Sequence, residues 1–200
     1  MSDLLLSFIM PTYNSAEYLA DTMDSLVASI GDYSRLVEII CVDDGSWDNT
    51  VDILEGYKSI YDNLIIIRNE HGGVSQARNT ALDIVSGKYI SFVDSDDLYE
   101  KDFLDTFVKL EDNFDILFTD VKSLNQNLYF PAASFESKLK IFKNTLRIGE
   151  YSIEPGVAGK FFRKEIVDKN NIRFNTKLSV SEDVLFNFRF ITDANDIFLS

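Results

Sequence analysis

Five short apolar runs, 4–10, 38–42, 64–68, 89–93 and 115–119, alternate with longer segments of helical period. Strands separated by helix-length crossovers do not pair as hairpins: each crossover returns the chain in the same direction and covers a face of the sheet. The pattern therefore predicts an α/β fold with a doubly wound, mostly parallel central sheet, flanking helices and right-handed crossovers. Between the first two runs, Tyr18, Leu19, Thr22, Met23, Leu26 and Ile30 form an apolar stripe. Asn14 and Glu17 read as a capping box with Asn in place of Ser or Thr, which starts a helix near Ser15. A second helix follows Ser46 with Val51, Ile53, Leu54 and Tyr57 inward, and a third covers 74–85 with Gly87 at its C′ position.

After Asp120 the alternation lapses. Residues 122–134 read as a loop with a short strand, 135–146 as a helix and Pro155-Gly156 as a turn. A strand over 159–163 leads into a helix that ends at Asn170, and 182–191 is a helix with Val184, Leu185, Phe188 and Ile191 on one face. Without repeats, low complexity or a linker, the reading is one domain over 1–200, with a regular half, 1–120, and a variable half, 121–200. Residues 197–200 open another strand, so the native protein is expected to continue.

The charge excludes several partners. With 19 Lys+Arg against 33 Asp+Glu the net charge is −14, which repels nucleic acid and anionic membrane unless a basic patch exists. Only Lys138, Lys140 and Lys143 cluster, at the spacing of a solvated helix face. The single cysteine, Cys41, lies in an apolar run and reads as a buried reduced thiol, which suits a cytoplasmic protein. Residues 1–10 lack a basic segment and run into a polar turn, so they read as neither signal peptide nor membrane anchor. One histidine leaves little scope for Cys/His metal sites or a Ser/His triad.

In an open parallel sheet, ligands bind beyond the carboxyl ends of the strands. Those positions carry Pro11-Thr12-Tyr13-Asn14, Asp43-Asp44-Gly45-Ser46, Arg68 to Gly73 and Asp94-Ser95-Asp96-Asp97. Each loop alone is also ordinary turn and cap chemistry. The fourth places three carboxylates within four residues after an apolar strand, and their repulsion calls for a hard divalent cation such as Mg²⁺ or Mn²⁺. Gly72-Gly73 before a helix allows close backbone approach and offers helix N-terminal amides to an anion. Arg78 in that helix reaches either a phosphate or a surface salt bridge, and His71 reads as a loop residue or a ligand contact. Glu182-Asp183 is either a pair of dipole-complementing residues behind a Ser181 N-cap or a functional acid pair.

Taken in order, 7–14, 42–46, 72–79 and 87–97 resemble the inverting family-2 glycosyltransferases of GT-A fold, and the likeness extends to 160–163 and 181–186. The resemblance implies transfer of a sugar from a nucleoside diphosphate, typically UDP, to an acceptor hydroxyl. Its donor half is then 1–120 and its acceptor-side half 121–200. On this reading Asp44 accepts from the base, while Pro11, Thr12 and Tyr13 frame base and ribose. Gly73, Arg78, Asp94 and Ser95 complete the donor site. Asp96, with Asp94 beside it, takes the Mn²⁺ or Mg²⁺ that bridges the diphosphate, and Asp183 matches the catalytic base. An inverting transfer needs a group to take the acceptor proton, and with one histidine that group is a carboxylate. The resemblance further implies glycan or lipid-linked acceptors of a cell envelope, with peripheral contact at the inner face of a membrane. Two rivals stay open. A sugar nucleotidyltransferase wants a glycine-rich basic loop after the first strand, which Pro11 to Asn14 is not; the other is a non-catalytic nucleotide-binding module.

Overall fold

The computed structural model describes residues 4–110, 113–119, 121–122, 124 and 126–200. They form two compact units, Met1–Asp105 and Thr106–Ser200. The expected boundary at Asp120 lies outside the described residues. In the first unit, strands β1 (Leu6–Thr12), β2 (Val37–Asp43), β3 (Leu64–Arg68) and β4 (Tyr89–Phe92) alternate with helices α1 (Leu19–Ile30), α2 (Thr50–Lys58) and α3 (Val74–Leu82). All pairings are parallel, in the order β3-β2-β1-β4. The chain winds outward from β1 to β3, then returns to place β4 on the other side of β1. That reversal is a topological switch point, where a crevice opens beyond the strand ends.

Register aligns those ends. Thr12 lies opposite Asp43, and Asp43 opposite Arg68. The ladder runs on through Asp44 N to Thr12 O at 2.8 Å, Asn69 N to Asp43 O at 2.8 Å and Val93 N to Ile9 O at 2.9 Å. β1 and β2 are buried on both faces, as continuous apolar runs in a covered parallel sheet must be. Cys41 is buried as expected, and loss of hydration pushes its thiol up to about 12. Among the described residues no helix is long and apolar enough to cross a membrane.

Three local expectations fail for tertiary reasons. Asn14 does not cap α1, which starts at Leu19 after a turn hung on the Ser15 carbonyl. Asn14 is left-handed, with φ 48°. It ties two loops together: its N–H donates to Ser46 Oγ at 2.9 Å, and its Oδ1 accepts from Trp47 N at 3.0 Å. Tyr18, placed in the apolar stripe, is exposed, and Ser29 is buried in its stead.

The third failure is Gly87, which is not a C′ glycine, since α3 ends at Leu82 with its C-cap, Asp83, four residues before Gly87. A Cβ on Gly87 would stand 2.6 Å from both Leu6 C and Ser7 N, so this position lets the chain enter β4 against the backbone of β1. Backbone atoms inside a sheet cannot retreat as a flexible side chain can. Gly87→Ala is therefore expected to cost about 3 kcal/mol of unfolding free energy, read from the urea midpoint.

In the second unit, β5 (Ile116–Phe118), β6 (Leu128–Phe130), β7 (Lys160–Arg163) and β8 (Ile197–Leu199) follow the order β7-β5-β8-β6. β5 is antiparallel to β7 and parallel to β8, and β6 is antiparallel to β8. Mixed pairing explains why the alternation lapses here. The helices are α4 (Asp105–Leu110), α5 (Phe135–Thr145), α6 (Lys164–Lys169) and α7 (Glu182–Asp193). α7 buries Phe186, Asn187, Phe190 and Ile191 rather than the predicted Val184, Leu185 and Phe188, because Phe186 and Phe190 both pack on Phe162 of β7. Ser181 before it is left-handed at φ 65° and makes no side-chain cap. Arg163 and Asp115 brace the unit: Nε donates to Oδ1 at 3.0 Å, while Asp115 Oδ2 accepts from the amides of Asn195 and Asp196.

Candidate functional site

At the switch point of the first unit lies a cleft of about 330 Å³, lined by Pro11, Thr12, Tyr13, Ser15, Asp44, His71, Gly73, Val74, Asp94, Ser95 and Asp96. Its size falls within the range of small-molecule sites. Of the donor residues expected from sequence, all but Arg78 line it, together with the expected metal ligand Asp96. A second hollow, of about 520 Å³, lies on α5 of the other unit among Lys140, Lys143 and Glu150. The first cleft carries the site, because four loops bring polar groups of different chemistry to one place.

Asp44 is the buried anchor. Its Oδ1 accepts from Gly72 N at 2.9 Å and its Oδ2 from Gly73 N at 2.8 Å. His71 Nδ1 stands 2.9 Å from Asp44 Oδ2 and 3.1 Å from the Asp44 carbonyl, so Nδ1 carries the proton. This corrects the anion expectation at Gly72-Gly73: those two amides already serve a carboxylate of the chain itself. The latch shapes the loop instead. Gly73 takes φ 90°, a conformation open to glycine, and delivers the chain into α3. His71, swung over by the same latch, stacks on Tyr13 with ring centroids 4.4 Å apart, making an aromatic wall suited to a planar base.

Replacing Asp44 with Asn keeps the shape but turns an NH₂ toward one of two N–H donors. Asp44→Asn is expected to lose about 1–3 kcal/mol of stability from that unpaired amide. The loss is read as a shift of the urea midpoint relative to the parent protein.

The β4 loop is held from behind. Ser95 Oγ lies 2.8 Å from Ser15 Oγ, and Thr22 Oγ1 donates to the Ser95 carbonyl at 3.0 Å. Asp97 N closes a turn on the Asp94 carbonyl at 3.2 Å. Arg78 is buried in α3 and donates from Nη2 to Asp94 Oδ1 at 3.0 Å. Arg78, expected to contact the nucleotide, pairs its guanidinium with Asp94 and is not among the residues that line the cleft.

The carboxylates are also less crowded than their spacing implies. Asp43 turns away to accept from Ser46 N at 3.2 Å, and neither Asp43 nor Asp97 lines the cleft. Among the described residues no group of three or more His, Cys, Asp or Glu side chains forms a metal-ligand set. Asp94 and Asp96 nonetheless fit a hard cation that keeps waters and takes substrate phosphate oxygens, a set needing only one or two protein carboxylates. Asp97 reports the local potential: partial desolvation, then the charges of Asp94 and Asp96, push its carboxyl above the usual range. A divalent cation relieves that excess negative charge.

Comparison with known proteins decides the family. The family described as Glycosyl transferase family 2 matches residues 7–170. The chain belongs to that family. Relatives include the poly(ribitol-phosphate) beta-glucosyltransferase of Bacillus spizizenii, 32% identical over 98% of this chain and 31% of that protein. Another is the poly(ribitol-phosphate) beta-N-acetylglucosaminyltransferase TarP of Staphylococcus aureus, 31% identical over 95% of this chain and 58% of TarP. Among solved structures, S. aureus TarS 1–349 is similar at TM-score 0.81 and 28% identity, with 98% of this chain and 58% of that one covered. The likeness shows the expected GT-A family-2 architecture. The same TarS piece is also known in complex with UDP and with UDP-GlcNAc. The chain thus spans between 31% and 58% of these proteins.

Asp183, the expected base, sits in the first turn of α7 in the second unit. A methyl on Gly156 would stand 3.8 Å from its Oδ2. Sequence reasoning passed over Lys160, which is buried at the start of β7 and carries a charge influenced by Asp183. The available signal was a lysine inside the predicted strand 159–163, directly before Phe161 and Phe162.

Proposed function

We propose that the protein is a metal-dependent inverting glycosyltransferase that moves a sugar from a UDP-sugar to a hydroxyl of a cell-envelope polymer. The single observation that carries this reading is the cleft at the switch point. There Tyr13, His71 and Asp44 offer a stacking wall and an acceptor for a base, and Asp94 and Asp96 stand in the same 330 Å³ space. TarS, similar over 98% of this chain, binds UDP and UDP-GlcNAc, which supports UDP as the nucleotide. The names of the relatives, which act on poly(ribitol-phosphate), support an envelope polymer as acceptor.

Asp44, latched to Gly72, Gly73 and His71, presents its remaining acceptor position on Oδ1 to the N–H of a uracil ring, while Thr12 and Tyr13 border base and ribose. Arg78 holds Asp94 in one orientation, so the ribose side of the cleft is preorganised before donor arrives. Asp96 with Asp94 would hold Mn²⁺ or Mg²⁺, which when bound acts as a Lewis acid on the departing diphosphate. The Asp183 carboxylate takes the proton of the acceptor hydroxyl as its oxygen bonds to the anomeric carbon. The bond from that carbon to the diphosphate oxygen breaks with its electron pair, and UDP leaves.

Incubation with a panel of nucleotide sugars, followed by analysis of the released products, tests the reading. UDP release that depends on acceptor is the expected result. Pyrophosphate release would instead make the protein a nucleotidyltransferase, and no turnover with any donor would leave a binding module.

A further inference from the structure

We propose that Lys160 is the positioning residue for Asp183: anchored in the interior of the second unit, its ammonium clamps the 155–159 turn against the first turn of α7 and holds the Asp183 side chain ionised. This inference rests on the reading of Asp183 as catalytic base. Lys160 is 2% exposed. Its Nζ donates to the carbonyl of Gly156 at 2.5 Å and of Ala158 at 3.3 Å, and it lies 5.7 Å from the centroid of the Phe118 ring. α7 grips the same turn from the other side, since Asn187 Nδ2 donates to the carbonyls of Pro155 and Gly156 at 2.8 and 2.9 Å. Asn187 is four residues beyond Asp183 and so shares its helix face. The carbonyl of Gly156 thus accepts from both Lys160 and Asn187, which makes it the fixed point between β7 and α7.

A buried ammonium is expensive, and a leucine or methionine would fill the space without desolvating a charge. Loss of hydration pushes Lys160 down to about 8, opposed first by the charge of Asp183 and then by that of Glu154. Glu154 already pairs with Lys122 at 3.0 Å and Arg147 at 3.2 Å. Asp183 is therefore the carboxylate with which the Lys160 charge is chiefly coupled. Of the other charges near α7, Glu182 precedes Asp183 in the first turn. On the helices packed against α7, Lys138 of α5 donates to Thr192 O at the far end, and Lys164 of α6 pairs with Asp168. Coupling is reciprocal: if Asp183 favours the protonated lysine, the ammonium favours the ionised carboxylate by the same amount.

The test uses Lys160→Met, Lys160→Arg and Asp183→Asn in the whole protein, with transfer followed against pH. In Lys160→Met the acid limb of the rate profile should move up by about one unit and kcat fall roughly 10-fold, with donor KM changed less than about 2-fold. Lys160→Arg should return the limb toward its original place. An unmoved limb with wild-type kcat in folded Lys160→Met overturns the inference. A reading that needs no lysine variant to fold is ¹³C NMR titration of Lys160: its midpoint should drop by at least about half a unit in Asp183→Asn. An unchanged midpoint also overturns the inference. The two levels separate cleanly. Transfer surviving in Asp183→Asn removes the base assignment and this inference together, whereas an inactive Asp183→Asn beside a silent Lys160→Met removes this inference alone.

Discussion

Asp96→Asn is expected to lower sugar transfer by at least about 100-fold and to abolish the dependence of UDP binding on Mn²⁺. The reason lies in how the other carboxylates of the cleft are occupied. Asp44 is latched to two amides and His71, and Asp94 is held by Arg78. Asp96 is the exposed carboxylate of the cleft wall, where bringing a cation and a diphosphate requires the least rearrangement. An amide in its place keeps the volume and one oxygen but removes the charge that a hard cation needs. Stability should barely change, because an exposed side chain contributes little to folding. A variant that loses transfer while keeping its urea midpoint is therefore the expected pair of results, measured by UDP release and denaturation side by side.

The second large effect is at Asp183. Asp183→Asn is expected to reduce kcat by about 10²–10⁴-fold, the range a positioned general base supplies, with donor affinity held within about 2-fold. Asparagine cannot take the acceptor proton, yet it preserves size beside Gly156, and Asp183 is not among the residues that line the donor cleft. A matching loss of donor affinity would instead assign Asp183 to binding. The two variants thus dissect the proposed reaction. Asp96→Asn fails at donor activation, and Asp183→Asn fails at the acceptor.

Much of this is legible in the sequence itself. The alternation of apolar runs with helix-length segments implies parallel strands, and parallel strands put their loops at one edge. Hence Pro11 to Tyr13, Asp44, Gly73 and Asp94 to Asp96 meet in one cleft as expected. What escaped depends on partners far along the chain. Asn14 satisfies a local cap pattern, but Ser46 and Trp47, more than 30 residues away, take its hydrogen bonds. The amides of Gly72 and Gly73 look ready for an anion until Asp44 is folded against them. Arg78 has the composition of a ligand contact, and only packing reveals that its guanidinium is buried behind Asp94. The alternation weakened in the second unit because antiparallel pairings with β7 and β6 replace the regular crossovers. On α7, periodicity alone selected a face displaced from the one that Phe162 of β7 actually covers.

The acidity that excluded polyanionic partners also acquires a local meaning. With a net charge of −14 and Asp44, Asp94 and Asp96 in its wall, the cleft is a poor host for a bare diphosphate. On the proposed reading, a divalent cation accompanies the diphosphate into the cleft and compensates its charge. The most direct measurement is calorimetric titration of the protein with UDP in Mn²⁺ and in EDTA. The account predicts binding in Mn²⁺ that weakens by at least about 10-fold in EDTA. Equal affinity in both would contradict metal-mediated donor binding, and no heat in either would contradict the cleft as a nucleotide site.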